Sequence, residues 1–426
     1  MKALSFLRAW PVATALVVSW LLGTLTAYAQ PGKPGAPAVP PMREVALDSV
    51  RAVPQALDIA GWLLLNKDIQ LELGGAVQNL YNFKFDKADK QFHSLQRRYP
   101  QHPMAYFLLG LSTWWRIMPA SPTDTRYDQR FLAYLDTAQT RAEALYKADA
   151  HNYEACFFLS AAYGMEARLH AERHNWRKAT AASRRALIYL EKSKEANGLS
   201  TEFLFGEGLF NYYAVWIGEE YKWLRPVLFF FPKGDRERGL AQLREVGRTA
   251  FYTGTEANFF LVTILSSDRE KKTADAYGLA RQLATQFPDN SRFQLDYAKL
   301  CFKLGKFEES EAASRSVLQK YAAGQVGYEA YAGRAATYIM GYLMQYKYHD
   351  LPQAQDYYQR CMAYSEQAGM AKQGYYIFAE AGLARLALQQ SDHATARRYY
   401  RAVLEHSDNG EAEYLEARDW LRKHPQ

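Results

Sequence analysis

Cysteine is scarce in this chain of 426 residues: Cys156, Cys301 and Cys361 are the full set. An odd number leaves at least one thiol unpaired. The helix-patterned, apolar sequence around each predicts three buried free thiols. No Cys-x-x-Cys, P-loop, Rossmann glycine pattern or Gly-x-Ser-x-Gly occurs. That removes the sequence signals for a dithiol redox centre, for nucleotide binding and for an α/β-hydrolase nucleophile. No stretch reads convincingly as a strand. Neither sign of charge dominates, with 52 Lys and Arg against 45 Asp and Glu and a formal net charge of +7. So mild a basic balance reads as a solvated surface. What the chain does have is apolar bulk. Hydrophobic residues make up 49%, too many for disorder, and aromatics 15%, with 31 Tyr, 22 Phe and 9 Trp. This excess predicts large side chains at helix contacts.

The first 29 residues read as a secretory signal peptide rather than as part of the fold. Lys2 and Arg8 give a positive start, Val12 to Leu25 is mostly apolar and uncharged, and Ala27-Tyr28-Ala29 is a small-x-small cleavage site. The apolar run is short for a membrane span. Loss of the leader takes Lys2 and Arg8 with it, bringing the formal charge from +7 to +5. No cysteine precedes Cys156, so a lipid-modified N-terminal cysteine is excluded. The expectation is an exported protein, periplasmic in a two-membrane cell, with no nucleic acid among its partners. Residues 30–47 follow as a flexible tether rich in Pro, Gly and Ala, with Pro31, Pro34, Pro37, Pro40 and Pro41.

Helical patterning begins near Asp48, and from there one register recurs. Phe307-Glu308-Glu309-Ser310 repeats the positions of Thr273 and Ala276 after 34 residues. A large residue, two polar ones and a small one open a helix after a break. The small residue lets two antiparallel helices approach, and the large one fills the space beside it. The same start recurs at Phe85, Trp176, Leu351 and His393; Asp235 marks another start as an N-cap. Pro119 to Thr125 interrupts the second unit, and the helix through Arg168 runs about two turns beyond the usual repeat length. Glu411 to Lys423 reads as a terminal cap. The pattern resembles the tetratricopeptide repeat superfamily. It implies an all-α, right-handed α-solenoid over residues 48–426, about eight helix pairs plus caps, with a concave face lined by first helices and used to hold a partner.

Residues 206–243 depart most from the repeat. A Gly-x-Gly-x-Phe-Asn helix is followed by an aromatic insert and then by Gly234-Asp235-Arg236-Glu237-x-Gly239-Leu240. This order resembles the eukaryotic tetratricopeptide family associated with inclusion-body clearance and lipid droplets. The resemblance implies the architecture and a non-enzymatic adaptor role, and the export signal argues against a cytosolic one. Pro226 and Pro232 bracket Val227 to Phe231, so no unbroken helix crosses the insert. Five apolar residues cannot span a bilayer.

Constellations that could carry chemistry are weak. Glu166, His170 and His174 stand at i, i+4 and i+8, a spacing that could offer a metal one helix face. Arg168 and Arg173 beside them oppose a cation, so a solvated polar stripe is the simpler reading. Gly341-Tyr342-Leu343-Met344-Gln345 resembles the Gly-Leu-Met-Gln of lytic transglycosylases, without the Glu-Ser pair upstream. Glu219 and Glu220 are adjacent, hence about 100° apart on a helix and unsuited as a facing acid pair. No catalytic residue, cofactor or metal is therefore expected. The expected function is an exported scaffold for a protein or peptide partner in the cell envelope. A membrane-surface or lipid-associated module and a cell-envelope hydrolase are the alternatives. The candidate partner surface comprises Tyr106, Tyr163, Tyr212, Trp216, Trp223, Phe229, Phe231 and Tyr338.

Overall fold

A computed structural model describes residue 59, residues 61–220 and residues 233–424. Among these the secondary structure is helical, without a strand. Eight antiparallel pairs follow one another: α1 (Lys67–Tyr81) with α2 (Phe85–Arg98), α3 (Pro103–Ile117) with α4 (Asp128–Ala148), α5 (Tyr153–Glu172) with α6 (Trp176–Ser193), and α7 (Leu204–Glu220) with α8 (Arg236–Thr249). The array continues with α9 (Gly254–Ser266) and α10 (Thr273–Gln286), α11 (Ser291–Lys303) and α12 (Phe307–Ala322), α13 (Ala330–Tyr346) and α14 (Leu351–Gln367), and α15 (Tyr375–Gln389) and α16 (His393–His406). A last helix, α17 (Ala412–Lys423), covers the final pair. This is an α-solenoid of tetratricopeptide-like helix pairs.

The register read from the sequence is the register of the fold. The second helices begin at Phe85, Trp176, Thr273, Phe307, Leu351 and His393, and Asp235 caps α8 by accepting from the Arg238 N–H at 3.0 Å. The small residues three places on, Ala88, Ala179, Ala276, Ser310, Ala354 and Ala396, are all wholly buried. Each lies where the two helices of a pair come closest, a place with room for a methyl or hydroxymethyl group only. The expected helical start near Asp48 falls outside the described residues, and residues 61–66 are turn and bend rather than helix. There Trp62, Leu63 and Leu64 are buried, with the Leu64 N–H donating to Glu154 Oε1 at 2.5 Å.

One turn joins the helices within most pairs. The residue two before six of the eight second helices has positive φ: Phe83, His174, Lys271, Gly305, His349 and Ser391. At four of these turns the next N–H, from Lys84, Asn175, Lys306 or Asp392, donates to the carbonyl five residues back. This is a Schellman-type cap, which satisfies the carbonyls left open at a helix end. Only Gly305 meets the left-handed requirement at no steric cost.

The superhelix closes on itself. First helices such as α3, α5, α9 and α13 are buried around nearly their whole circumference, as interior helices must be. Trp115 of α3 is fully buried, with ring centroids 5.4 Å from Phe259 of α9 and 5.2 Å from Phe293 of α11. Its Nε1–H donates to Glu256 Oε1 of α9 at 2.6 Å, and the Tyr81 hydroxyl donates to the same oxygen at 3.3 Å. Asn290 Nδ2 donates to the Tyr81 carbonyl at 2.8 Å, and the Asp289 N–H to Asn82 Oδ1 at 2.8 Å. The interruption at Pro119 to Thr125 has a structural use. This loop reaches the C-terminal units, where Arg126 pairs with Glu329 at 2.5 Å and the Ser121 hydroxyl donates to the Ala368 carbonyl. The first two units therefore rest against the fifth to seventh. One apolar core runs from Trp62 to Leu300, while the later units bury smaller clusters in series.

Candidate functional site

Packing between neighbouring helix pairs corrects the expected partner surface at three positions. Tyr163, Tyr212 and Tyr338 are buried. The Tyr163 hydroxyl donates to Glu143 Oε1 at 2.8 Å and that of Tyr212 to Glu270 Oε1 at 3.1 Å. Tyr338 packs its ring among Tyr358, Tyr375 and Phe378 at centroid distances of 5.7–6.0 Å. These side chains tie neighbouring helices together and present no face to a partner. Tyr106 is half-buried, with its hydroxyl on the Pro100 carbonyl at 3.1 Å. Trp216 is half-buried near the end of α7, edge-on to Tyr213. Trp223, Phe229 and Phe231 lie outside the described residues.

Closure is incomplete between the second and fifth units. A cavity of about 630 Å³ lies among α3, α5, α6, α7 and α9. Its space comes from small side chains: α5 presents Ser160, Ala161 and Gly164 to it. A Cβ at Gly164 would meet nothing within 4 Å. The walls are apolar, with Phe107, Trp114, Phe157, Leu187, Leu209 and Phe260 among them. Glu219, Lys233 and Gly234, at the two ends of the chain flanking residues 221–232, also line it.

Two buried ionisable side chains enter this apolar setting. Arg168 is 6% exposed, its guanidinium carbon 4.5 Å from the Trp114 ring centre and 5.4 Å from that of Phe260. Burial lowers its pKa from the ordinary arginine value. Burial likewise pushes the Glu256 carboxyl above the usual range, against the hydrogen bonds from Trp115 and Tyr81. Sequence reasoning met Arg168 only as a cation opposing a metal. Its unbroken run of helix beyond the usual length was the available signal, because that extra length carries Arg168 into the interior.

The weaker constellations resolve into structure. The helix carrying Glu166 and His170 ends at Glu172, and His174 lies past it in the left-handed conformation, edge-on to Trp176 at 5.6 Å. The three residues therefore do not share one helix face. Glu166 accepts from Gln139 Nε2 at 2.8 Å and lies 3.7 Å from His170. Gly341 leaves room for the Tyr358 ring, whose hydroxyl donates to Gln345 Oε1 at 2.9 Å, so both ends of that motif serve packing. Arg269 pairs with Glu219 and lies 3.9 Å from Glu220. All three thiols are free and buried, and burial raises Cys156 and Cys301 to about 11 and Cys361 to about 12. Thiols so shifted are protonated at neutral pH and are poor nucleophiles.

Residues 269–325 match the tetratricopeptide repeat family. The matched segment runs from the α9–α10 turn to just past α12, and so covers the two tandem units whose spacing is clearest in the sequence. Among solved structures, the apo form of the quorum sensor NprR from B. thuringiensis is similar at 14% identity and a TM-score of 0.34, over 80% of this chain and 99% of that one. A likeness at that level carries no argument about function. Comparison with curated proteins gives no match. Solenoids of such repeats serve as interaction scaffolds.

Proposed function

We propose that this chain is an exported, non-catalytic scaffold that binds a protein or peptide partner in the cell envelope, with the periplasm as its compartment. In this reading residues 1–29 are a cleaved leader, residues 30–47 a tether and residues 48–426 the solenoid. The observation that carries the reading is the closure of the superhelix. With the first helices packed on one another, partner binding falls to the outer surface, and the repeat pattern breaks at the end of α7. There Trp216 is half-buried and Glu219 and Glu220 are exposed. The segment that follows carries Trp223, Phe229 and Phe231 in its sequence.

A photo-crosslinking side chain at Glu220, expressed in intact cells, tests the location. A polypeptide adduct should form there and be absent with the same group at Leu71, which is 81% exposed on α1. Equal labelling at both positions, or at neither, overturns the reading. N-terminal sequencing from the envelope fraction should begin at Gln30; a retained Met1 overturns the export assignment.

A further inference from the structure

The cavity beneath α7 adjoins the proposed outer partner surface at Glu219, and its chemistry is specific. Its walls offer apolar carbon and few hydrogen-bonding groups. A peptide would bring an N–H and a C=O with each residue, and most would find no partner there. A hydrocarbon chain brings none. A volume of about 630 Å³ falls within the range of small-molecule sites.

The polar side of the cavity is Arg168, and its hydrogen bonding is incomplete. A guanidinium has five N–H donors and stays charged in proteins. Among the described residues the hydrogen bond it makes is from one terminal nitrogen to the Met118 thioether at 3.6 Å, and Nε makes none. Two carboxyls share the neighbourhood. Glu172 Oε1 lies 3.6 Å from Nε, and Glu256 already accepts from Trp115 and Tyr81 through Oε1. Burial pushes both carboxyls above the usual range, and the Arg168 charge acts against that shift. Stacking on Trp114 and Phe260 offsets part of the cost of burying the cation but supplies no acceptor. Of the other cations, Arg173 pairs with Asp128 at 2.7 Å and Arg292 with Asp296 at 2.8 Å, while Lys233 is exposed where it lines the cavity.

We propose that the cavity is a binding site for a single-chain lipid acid, with the hydrocarbon lying between α5 and α7 and the carboxylate received by the Arg168 guanidinium. The planar fork of the guanidinium matches a carboxylate, and a charge-assisted pair is strongest where water is excluded. The acid supplies acceptors beyond the 3.6 Å ion pair that Arg168 makes with Glu172, and fills space that the small residues of α5 leave open.

The purified chain is titrated with dodecanoate and, separately, with dodecan-1-ol at neutral pH, by calorimetry and by the fluorescence of Trp114 in the cavity wall. The acid should bind at least about tenfold more tightly than the alcohol, as expected for a hydrogen bond to a charged group. Arg168→Met should erase that preference by weakening the acid and sparing the alcohol. Gly164→Leu, which places a side chain in the open space, should abolish binding of both. No binding of either probe to the wild type overturns the site itself. Equal binding of acid and alcohol overturns the role of Arg168 and leaves an apolar cavity only. Tight binding of an apolar peptide without dodecanoate binding overturns the lipid assignment. If Arg168→Met fails to fold, the acid-to-alcohol ratio in the wild type and the Gly164→Leu result decide the matter. Neither outcome bears on the outer partner surface, which is tested by crosslinking at Glu220.

Discussion

Closure of the superhelix can be tested at a single hydrogen bond. Trp115 and Glu256 are 141 residues apart in sequence, and in an open array of nearest-neighbour repeats they would never meet. Trp115→Phe keeps an aromatic ring but removes the donor to Glu256 Oε1. A hydrogen bond to a carboxylate is worth about 1.5–3 kcal/mol, and the void left by the smaller ring adds roughly another 1 kcal/mol. Glu256→Leu removes the acceptor at similar volume and strands the indole N–H and the Tyr81 hydroxyl. With both partners gone neither variant leaves the other's group unpaired, so the double variant should cost less than the sum by about 1.5–3 kcal/mol. The effect of Glu256 on nearby Arg168 is common to the single and double variants and cancels in the cycle. Urea unfolding followed by circular dichroism at pH 7 measures all four proteins. A coupling under about 0.5 kcal/mol, the ordinary scatter for independent sites, would refute the closure. A pH series adds a second reading. The folded-state pKa of Glu256 is raised, so between its unfolded value near 4.5 and that raised value the folded state binds more protons. Its contribution is full below about pH 4.5 and is lost as pH rises through the folded pKa. Stability of the wild type relative to Glu256→Leu should therefore fall with pH across that window, and a flat difference counts against a buried, desolvated Glu256.

Three further outcomes are expected. Glu202 accepts from the N–H groups of Phe251, Tyr252 and Thr253 at 2.7, 2.8 and 3.0 Å and from the Thr253 hydroxyl at 2.7 Å; Glu202→Ala should cost about 3 kcal/mol or more by stranding these donors at the start of α9, and a loss under 1 kcal/mol in chemical denaturation would contradict it. Lys271 holds a φ of 52° in the repeated turn, so Lys271→Gly should stabilise by about 1 kcal/mol, and a lower melting temperature would show that the lysine side chain matters there. A Cβ at Gly239 would come within 2.7 Å of the Tyr212 N and 2.8 Å of the Gly208 carbonyl; Gly239→Ala should cost about 1–3 kcal/mol, although alanine is the better helix former by about 1 kcal/mol, and an unchanged denaturation midpoint would mean that α7 and α8 separate freely.

The helix pairs were legible because their chemistry is local. Phe307 and Ser310 restate Thr273 and Ala276 because each pair solves the same packing problem, a large side chain beside a close approach. The repeated turn was half legible. Gly305 announces it, but Phe83, His174, Lys271, His349 and Ser391 adopt the same left-handed backbone without a glycine to mark it. Closure was not legible, because it depends on pairs such as Tyr81 with Asn290 that no spacing rule connects. The tyrosines chosen for the concave face failed for a more local reason, packing against adjacent pairs. A first helix as predominantly apolar as α9 already implies burial on the concave side as well as against its pair. The cavity escaped for the opposite reason: Ser160, Ala161 and Gly164 look like ordinary small helix residues until α7 is placed across from them.

In the mid-chain segment that resembles a eukaryotic family, the described residues of the motif have structural roles. Gly208 and Gly239 stand where α7 and α8 cross, and a Cβ at Gly208 would come within 3.1 Å of Leu243. Asn211 Nδ2 donates across the crossing to Gln242 Oε1 at 2.8 Å. Gly234 lies so close to the Asn211 carbonyl that a Cβ would meet it at 2.5 Å. Asp235 caps α8, Arg236 makes two bonds of 2.8 Å to Glu270, and Leu240 is fully buried beneath them. Glu207 accepts from Arg238 at 2.6 Å. Such a motif encodes a geometry, the close crossing of two helices, and that geometry is independent of what the chain binds. It has a local consequence in this chain. The crossing fixes α7, and α7 carries Gly206 and Leu209 over the small residues of α5. A change that forces α7 and α8 apart therefore alters the width of the cavity without touching a residue of its α5 wall.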